Sequence, residues 1–359
     1  MKSNLLLVAF FLVFGSILLS FRWFESRPLA AAAAVAEVVP ESTAPEQPVE
    51  LGKVSWLRNL EEASAKSKVE QKPILILFQE VPGCITCQRY GSLTLSHPLI
   101  VEAIETHFIP LAIYNNKKGH DAEVLRYYKE PSWNNPVVRI VNADRSNLTS
   151  RLAADYSPAG LVNTLLAAFR QMKKTPPDYL TLLHEELQAE KNGTQSATFS
   201  MYCFWTGEKE LGKLDGVVST EAGFMNGREV VQVDYDPAMI AFDELLETAQ
   251  RQQCASEVYT NEAEQAKIAA EKLGTNKVGK LSKFRPDREP KYYLGKSIYQ
   301  YLPMTATQAA RANALIGSGQ SPDALLSPRQ LELLASIKQQ PKQQRKSMIG
   351  ADIVSNWPW

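Results

Sequence analysis

The sequence predicts an α/β fold in two successive units, the second of α+β type, followed by a helical C-terminal extension. Three observations carry that expectation. Residues Ile74-Leu75-Ile76-Leu77-Phe78 form a continuous apolar run after Pro73, the pattern of a strand buried on both faces. A C-x-x-C turn, Val81-Pro82-Gly83-Cys84-Ile85-Thr86-Cys87, follows at once and opens a helical stretch through Leu99 to Ile104. Further on, Thr198 to Trp205 and the run Val230 to Val233 begin a second strand–helix alternation.

The chain has 359 residues, a length that suits two domains of roughly 130–150 residues each. Hydrophobic content of 45% permits a packed core, and 39 acidic residues balance 39 basic ones. No arginine-rich stripe is present, so nucleic acid is not an expected partner. The 4 cysteines (Cys84, Cys87, Cys203, Cys254) are too few for a disulfide scaffold, and one pair is a C-x-x-C, which points to redox chemistry. His97, His107, His120 and His184 never stand at metal-ligand spacing with a cysteine, so no metal is expected. No glycine-rich nucleotide loop follows a strand, so no cofactor is expected either.

Lys2 precedes an apolar run from Leu5 to Ser20, closed by Phe21 and Arg22. Residues 1–27 therefore read as a retained membrane anchor or a cleaved signal peptide, with Ala34-Val35-Ala36 as a distant cleavage candidate. In both cases the body is exported, facing the periplasmic or extracellular side or secreted. Residues 28–53 are alanine-rich, then proline- and glutamate-rich, a composition that reads as a linker.

The remaining elements follow in order. An amphipathic helix is expected from Trp56 to Lys66, strands at Phe108 to Tyr114 and Val137 to Val141, and a helix from Ser157 to Met172. Lys173 to Pro177 is a charged, proline-bearing boundary, so residues 54–175 form the first domain. A short helix, Asp178 to Lys191, precedes the break at Asn192-Gly193-Thr194. The second domain spans 192–300, with helices from Pro237 to Gln250 and from Glu262 to Leu273. Residues 301–359 are the helical extension and tail. Two of its helices should start at capping boxes, Thr305 with Gln308 and Ser327 with Gln330.

A cysteine at the first turn of a helix faces unsatisfied backbone N–H groups, which favour thiolate. Cys84 is thus the expected attacking thiol and Cys87 the resolving one. Residues 54–172 resemble the thioredoxin-like family in their strand–C-x-x-C–helix order and in Asn135-Pro136 before a strand. That resemblance implies a cis proline at Pro136, beside the thiols and presenting backbone to a substrate. The Val-Pro-Gly-Cys wording is similar to a thioredoxin-like group in which selenocysteine can replace the residue at Cys84, which suits a strong nucleophile there.

The second centre is Tyr202-Cys203-Phe204-Trp205-Thr206-Gly207-Glu208, with Gly216-Val217-Val218-Ser219-Thr220 and Glu229 through Pro237 after it. Reducing a methyl sulfoxide needs a thiolate to attack sulfur, an acid to protonate the oxygen and an apolar slot for the methyl. Cys203, Glu229 and the Phe204/Trp205 pair offer one candidate for each task. Residues 198–295 look like methionine sulfoxide reductase A, whose signature is Gly-Cys-Phe-Trp with a glutamate three residues on. That resemblance implies Cys203 as nucleophile, Glu229 as proton donor, and Phe204 and Trp205 as methyl pocket; it also implies a helix beginning at Asp236-Pro237.

Departures are plain. The glycine before the nucleophile is Tyr202, and the loop between a Gly-Tyr turn (here Gly223-Phe224) and the glutamate has shrunk to Met225-Asn226-Gly227-Arg228. A Gly-Asn-Asp…Gln-Tyr-Arg-Ser segment is missing before Ser256. Those two segments carry the family's tyrosines that bond the sulfoxide oxygen, and each lost donor is worth ~2–4 kcal/mol of transition-state stabilisation. Aligning Ser256 places Cys254 where one lost tyrosine would stand, which makes it a candidate resolving thiol.

The reading is a relay: methionine sulfoxide, free or in oxidised proteins, is reduced at Cys203, and Cys84/Cys87 return electrons drawn from an upstream thiol reductant. The alternative is a thiol–disulfide oxidoreductase whose second domain is retired from catalysis and only binds substrates or partners. A non-enzymatic anchored scaffold is the third, disfavoured by three cysteines in motif positions.

Overall fold

The computed structural model describes residues 47–133, 136–252 and 255–359. The expected signal or anchor, linker residues 28–46, the Asn135–Pro136 peptide bond and Cys254 lie outside the described residues. Among the described residues no helix is long and apolar enough to cross a membrane. The end of the expected linker is packed: a 3-10 turn at Val49–Leu51 buries Glu50 and Leu51.

A first sheet is built on β1 (Ile74–Gln79), every residue of which is buried, as its unbroken apolar run requires. It pairs in parallel with β2 (Ile109–Tyr114) and antiparallel with β3 (Val137–Val141). Helices α1 (Leu60–Glu70), α2 (Ile85–Arg89), α3 (Pro98–His107), α4 (His120–Tyr128) and α5 (Pro158–Gln171) complete this region. The two-residue period of β1 divides its side chains between two cores. Leu75 and Leu77 pack with Leu99, Phe108, Leu161 and Leu165, whereas Ile74, Ile76 and Phe78 pack with Leu60, Val124 and Leu125.

Two details differ from expectation. Helix α1 starts at Leu60, not Trp56, because the Asn59 side chain caps it by accepting from Glu62 N, while Leu57 bridges to Leu111 of β2. Helix α4 was not expected. It is short, polar on one side, and entered through Gly119 at φ 73° without a side-chain cap.

Helix α6 (Asp178–Asn192) leads to a second sheet of β4 (Gln195–Ser200), β5 (Val217–Met225), β6 (Arg228–Tyr235), β7 (Glu257–Tyr259), β8 (Val278–Gly279) and β9 (Arg285–Pro286). The spatial order is β8-β7-β4-β6-β5-β9, antiparallel except between β7 and β8. Helices α7 (Phe204–Leu211), α8 (Phe242–Arg251) and α9 (Ala263–Leu273) pack against it through Phe204, Leu211, Leu245, Leu246 and Ala269. Gly223 and Phe224 lie inside β5 and form no turn; the turn is Asn226-Gly227, both at positive φ (52° and 76°), as a tight hairpin favours. Nor does a helix begin at Asp236-Pro237. The Asp236 carboxylate accepts from Ala238 N at 2.9 Å and closes a turn, and α8 starts at Phe242.

The extension adds α10 (Tyr292–Gly295), α11 (Ala306–Gly317), α12 (Pro328–Gln339) and α13 (Ile353–Asn356). Helices α11 and α12 begin at the two expected capping boxes. Glu102 of α3 accepts from Ser327 Oγ at 2.8 Å and from Arg329 N at 2.5 Å, which ties the start of α12 to the first sheet region. Trp357, 5% exposed, joins the same core as Leu99 and Leu161, so the tail packs back on the molecule.

Candidate functional site: two thiols at strand-to-helix junctions

Both candidate nucleophiles occupy the same kind of position. Cys84 is the residue before α2, just past β1, and Cys203 is the residue before α7, just past β4. Each residue thus stands between a strand and the first turn of a helix.

Cys84 is exposed and Cys87 buried, with their sulfurs 3.7 Å apart. The backbone N–H of Cys87, with lesser help from the Cys87 thiol and Thr86, holds the Cys84 thiol below its ordinary value despite some burial. Burial pushes the Cys87 thiol up to about 12, reinforced by its hydrogen bond to Cys84. The pair therefore divides into an exposed thiol of lowered value and a buried one of raised value. The buried Glu50 carboxylate accepts from Gly83 N at 2.8 Å and so fixes the turn from beneath. Asn116 Nδ2 donates to Pro82 O at 3.1 Å, and the Val81–Pro82 bond is cis. A Cβ on Gly83 would lie 2.4 Å from Glu80 O and 2.7 Å from Cys87 Cβ, so only glycine fits there. Pro136 is buried, and because Val137 pairs with Phe78 it stands at the end of β3 nearest this turn.

At the second centre the half-buried Glu229, on β6, accepts from Phe204 N at 3.0 Å through Oε2. This brings the acid to the residue after Cys203. The backbone reinforces the register: Met201 N donates to Glu229 O at 3.0 Å, and Gly207 N to Cys203 O at 3.2 Å. Gly207 allows α7 to lie close on the sheet, since a Cβ there would meet Met201 Sδ at 1.9 Å. Phe204 is buried and packs edge-on to Phe224, ring centroids 5.2 Å apart. Tyr202 is 95% exposed with its backbone outside the left-handed region, so replacing the family's glycine there introduces no collision.

Trp205 is held from an unforeseen direction. Its indole N–H donates to Asp287 Oδ2 at 3.0 Å, and its ring stacks on Tyr292, 3.9 Å between centroids and 16° from parallel. Both partners lie more than 80 residues away along the chain, where sequence spacing carries no signal. Glu208, fully buried, pairs with Lys291 at 3.3 Å, and burial outweighs that cation to raise its carboxyl above the ordinary value. Sequence spacing also missed Glu80. Its carboxylate comes within 4.8 Å of both sulfurs of the C-x-x-C pair, a third ligand-type group where the sequence showed none.

Comparison with known proteins bears on both centres. A thioredoxin-like family model matches residues 55–143. A peptide methionine sulfoxide reductase MsrA of Methanococcus maripaludis (strain C7) is 39% identical over 71 residues, 15% of this chain and 45% of that protein. The MsrA of Geobacter metallireducens is 41% identical over 69 residues, 14% of this chain and 43% of its own length. The mouse mitochondrial peptide methionine sulfoxide reductase is 41% identical over 71 residues, 15% of this chain and 30% of its own. The chain thus spans less than half the length of these relatives. A solved structure titled DsbH oxidoreductase overlays at a TM-score of 0.29 with 20% identity, over 34% of this chain and 90% of that one, too slight a likeness to argue from. The family model and the MsrA relatives place a thioredoxin-like domain in one chain with a region similar to the MsrA reductases.

Proposed function

We propose that the chain is an exported thiol oxidoreductase that reduces methionine sulfoxide at Cys203 and draws its electrons through Cys84 and Cys87. The observation that carries this reading is the 3.0 Å hydrogen bond from Phe204 N to Glu229, which holds a carboxyl at the residue that follows Cys203 and begins the aromatic pair. The Cys203 thiolate attacks the sulfoxide sulfur while Glu229 gives a proton to its oxygen. Collapse of the adduct passes the hydroxyl from the substrate sulfur to the Cys203 sulfur, breaking the substrate's S–O bond and the transient S–S bond, and leaves the thioether and a sulfenic acid on Cys203. Attack by a second thiol, Cys254 or Cys84, then forms a disulfide and releases water. Cys84 and Cys87 end as the disulfide and are returned to thiols by an upstream thiol donor.

In this reading the N-terminal segment either anchors the protein or is removed after export. The test is single turnover: reduced protein mixed with a methyl-sulfoxide peptide should lose two thiols for each thioether formed. Release of thioether without thiol loss would exclude the mechanism.

One observation favours the alternative of a retired second centre. The tight Asn226-Gly227 turn leaves no room for the family's tyrosine-bearing loop. Under that alternative the Cys84/Cys87 pair exchanges disulfides and the second region only binds.

A further inference from the structure

No step of the relay uses Glu80, yet the fold brings its carboxylate to the C-x-x-C turn. One ligand atom from each of Glu80, Cys84 and Cys87 lies within 4.8 Å of the other two. The sulfurs are 3.7 Å apart. Tetrahedral zinc with two thiolates at ~2.3 Å sets an S···S edge of roughly 3.8 Å. A disulfide demands ~2.05 Å. The reduced pair is therefore already spaced for a metal and must close considerably to oxidise.

Cys87 is buried, Glu80 half-buried and Cys84 exposed, so the cluster reaches from the interior to the surface, where an ion can enter. Glycine at position 83 is what lets the turn fold Glu80 back over Cys87. Two thiolates and one carboxylate suit a borderline-soft divalent ion and disfavour magnesium or calcium, which take oxygen ligands alone.

We propose that Glu80, Cys84 and Cys87 form a three-ligand site for Zn2+, or its analogue Cd2+, that closes the redox pair reversibly. This inference stands apart from sulfoxide reduction at Cys203. Binding replaces both thiol protons, so affinity rises with pH. The metal-bound pair cannot attack a disulfide, and the oxidised pair cannot hold the metal. Oxidation by a disulfide compound takes two electrons from the thiolates, forms the Cys84–Cys87 bond and frees one Zn2+.

The experiment uses the full-length reduced protein and Co2+ as a spectroscopic probe, followed by Zn2+ competition. The expected result is thiolate-to-cobalt charge transfer with intense tetrahedral visible bands, lost in Cys84→Ser and in Cys87→Ser and retained in Cys203→Ser. Glu80→Gln should weaken Zn2+ at least ~10-fold. Thermal melts check that each variant is folded. Unchanged affinity in Glu80→Gln, or a cobalt spectrum that depends on Cys203, overturns the proposal. If a variant does not fold, the wild type still decides: diamide oxidation must release bound Zn2+ in step with Cys84–Cys87 disulfide formation, and retention of the metal refutes the site.

Discussion

Glu229 on β6 and Phe204 at the start of α7 are joined by a 3.0 Å hydrogen bond between carboxylate and backbone N–H. That bond uses Oε2 and fixes the carboxyl group at the start of the helix that follows Cys203. Glu229→Gln keeps the shape and removes the proton donor. Sulfoxide turnover should fall ~10²–10⁴-fold, with little change in the rate of Cys203 alkylation. A loss under tenfold, measured by thioether formation, removes Glu229 from the acid role.

The thiol pair predicts a distinct pH profile. The Cys84 thiol is lowered by the Cys87 N–H and Cys87 is pushed up to about 12 by burial. Iodoacetamide should label Cys84 with a midpoint below the ordinary value of 9.0, its rate rising with pH as thiolate forms. Cys87 should stay unlabelled across that range. Peptide mass mapping after timed labelling at each pH checks this; equal labelling of both cysteines contradicts the assigned roles.

Acid should destabilise the fold through two histidines. Burial depresses both His97 and His107 to about 4, against an ordinary 6.5. Between those values the unfolded chain binds protons that the folded chain refuses, so stability falls as pH drops from 6.5 toward 4. The two together should account for several kcal/mol of that loss. Urea titrations of a His97→Gln/His107→Gln variant should show a flatter pH dependence than wild type. An unaltered slope would assign the acid sensitivity elsewhere.

Lys291 forms an ion pair with the fully buried Glu208 and also reaches Thr220 O. Lys291→Ala leaves a buried carboxyl uncompensated and should lower stability by about 3–5 kcal/mol near neutral pH. Because burial raises the Glu208 carboxyl, acidification should restore part of that loss as the group takes up its proton. Denaturant melts at neutral and mildly acidic pH measure both effects, and a loss that grows on acidification would contradict the pairing.

Much of the architecture was legible locally. The apolar run of β1, Ser157 before α5, and the capping boxes at Thr305 and Ser327 each carry a short-range signal, and the structure places those elements within a residue or so. Strand β5 was missed as a strand because Ser219, Glu221 and Gly223 break its apolar alternation. Pairing on both sides, with β6 and β9, holds it extended instead. The helix start at Asp236-Pro237 failed because the aspartate closes a turn with its own carboxylate. At the candidate site, Cys84, Cys87, Cys203 and Glu229 were named from spacing and resemblance. Asp287, Tyr292 and Glu80 were not, since only the folded chain brings them to the thiols or to Trp205.

The central claim is that Cys203 reduces a sulfoxide. Its most direct measurement is steady-state turnover of a methyl-sulfoxide peptide with dithiothreitol, comparing wild type, Cys203→Ser and a Cys84→Ser/Cys87→Ser variant. Dithiothreitol bypasses the C-x-x-C pair, so the account predicts turnover in wild type and in the double variant, and none in Cys203→Ser. No turnover by folded wild-type protein, or turnover that survives Cys203→Ser, would contradict it.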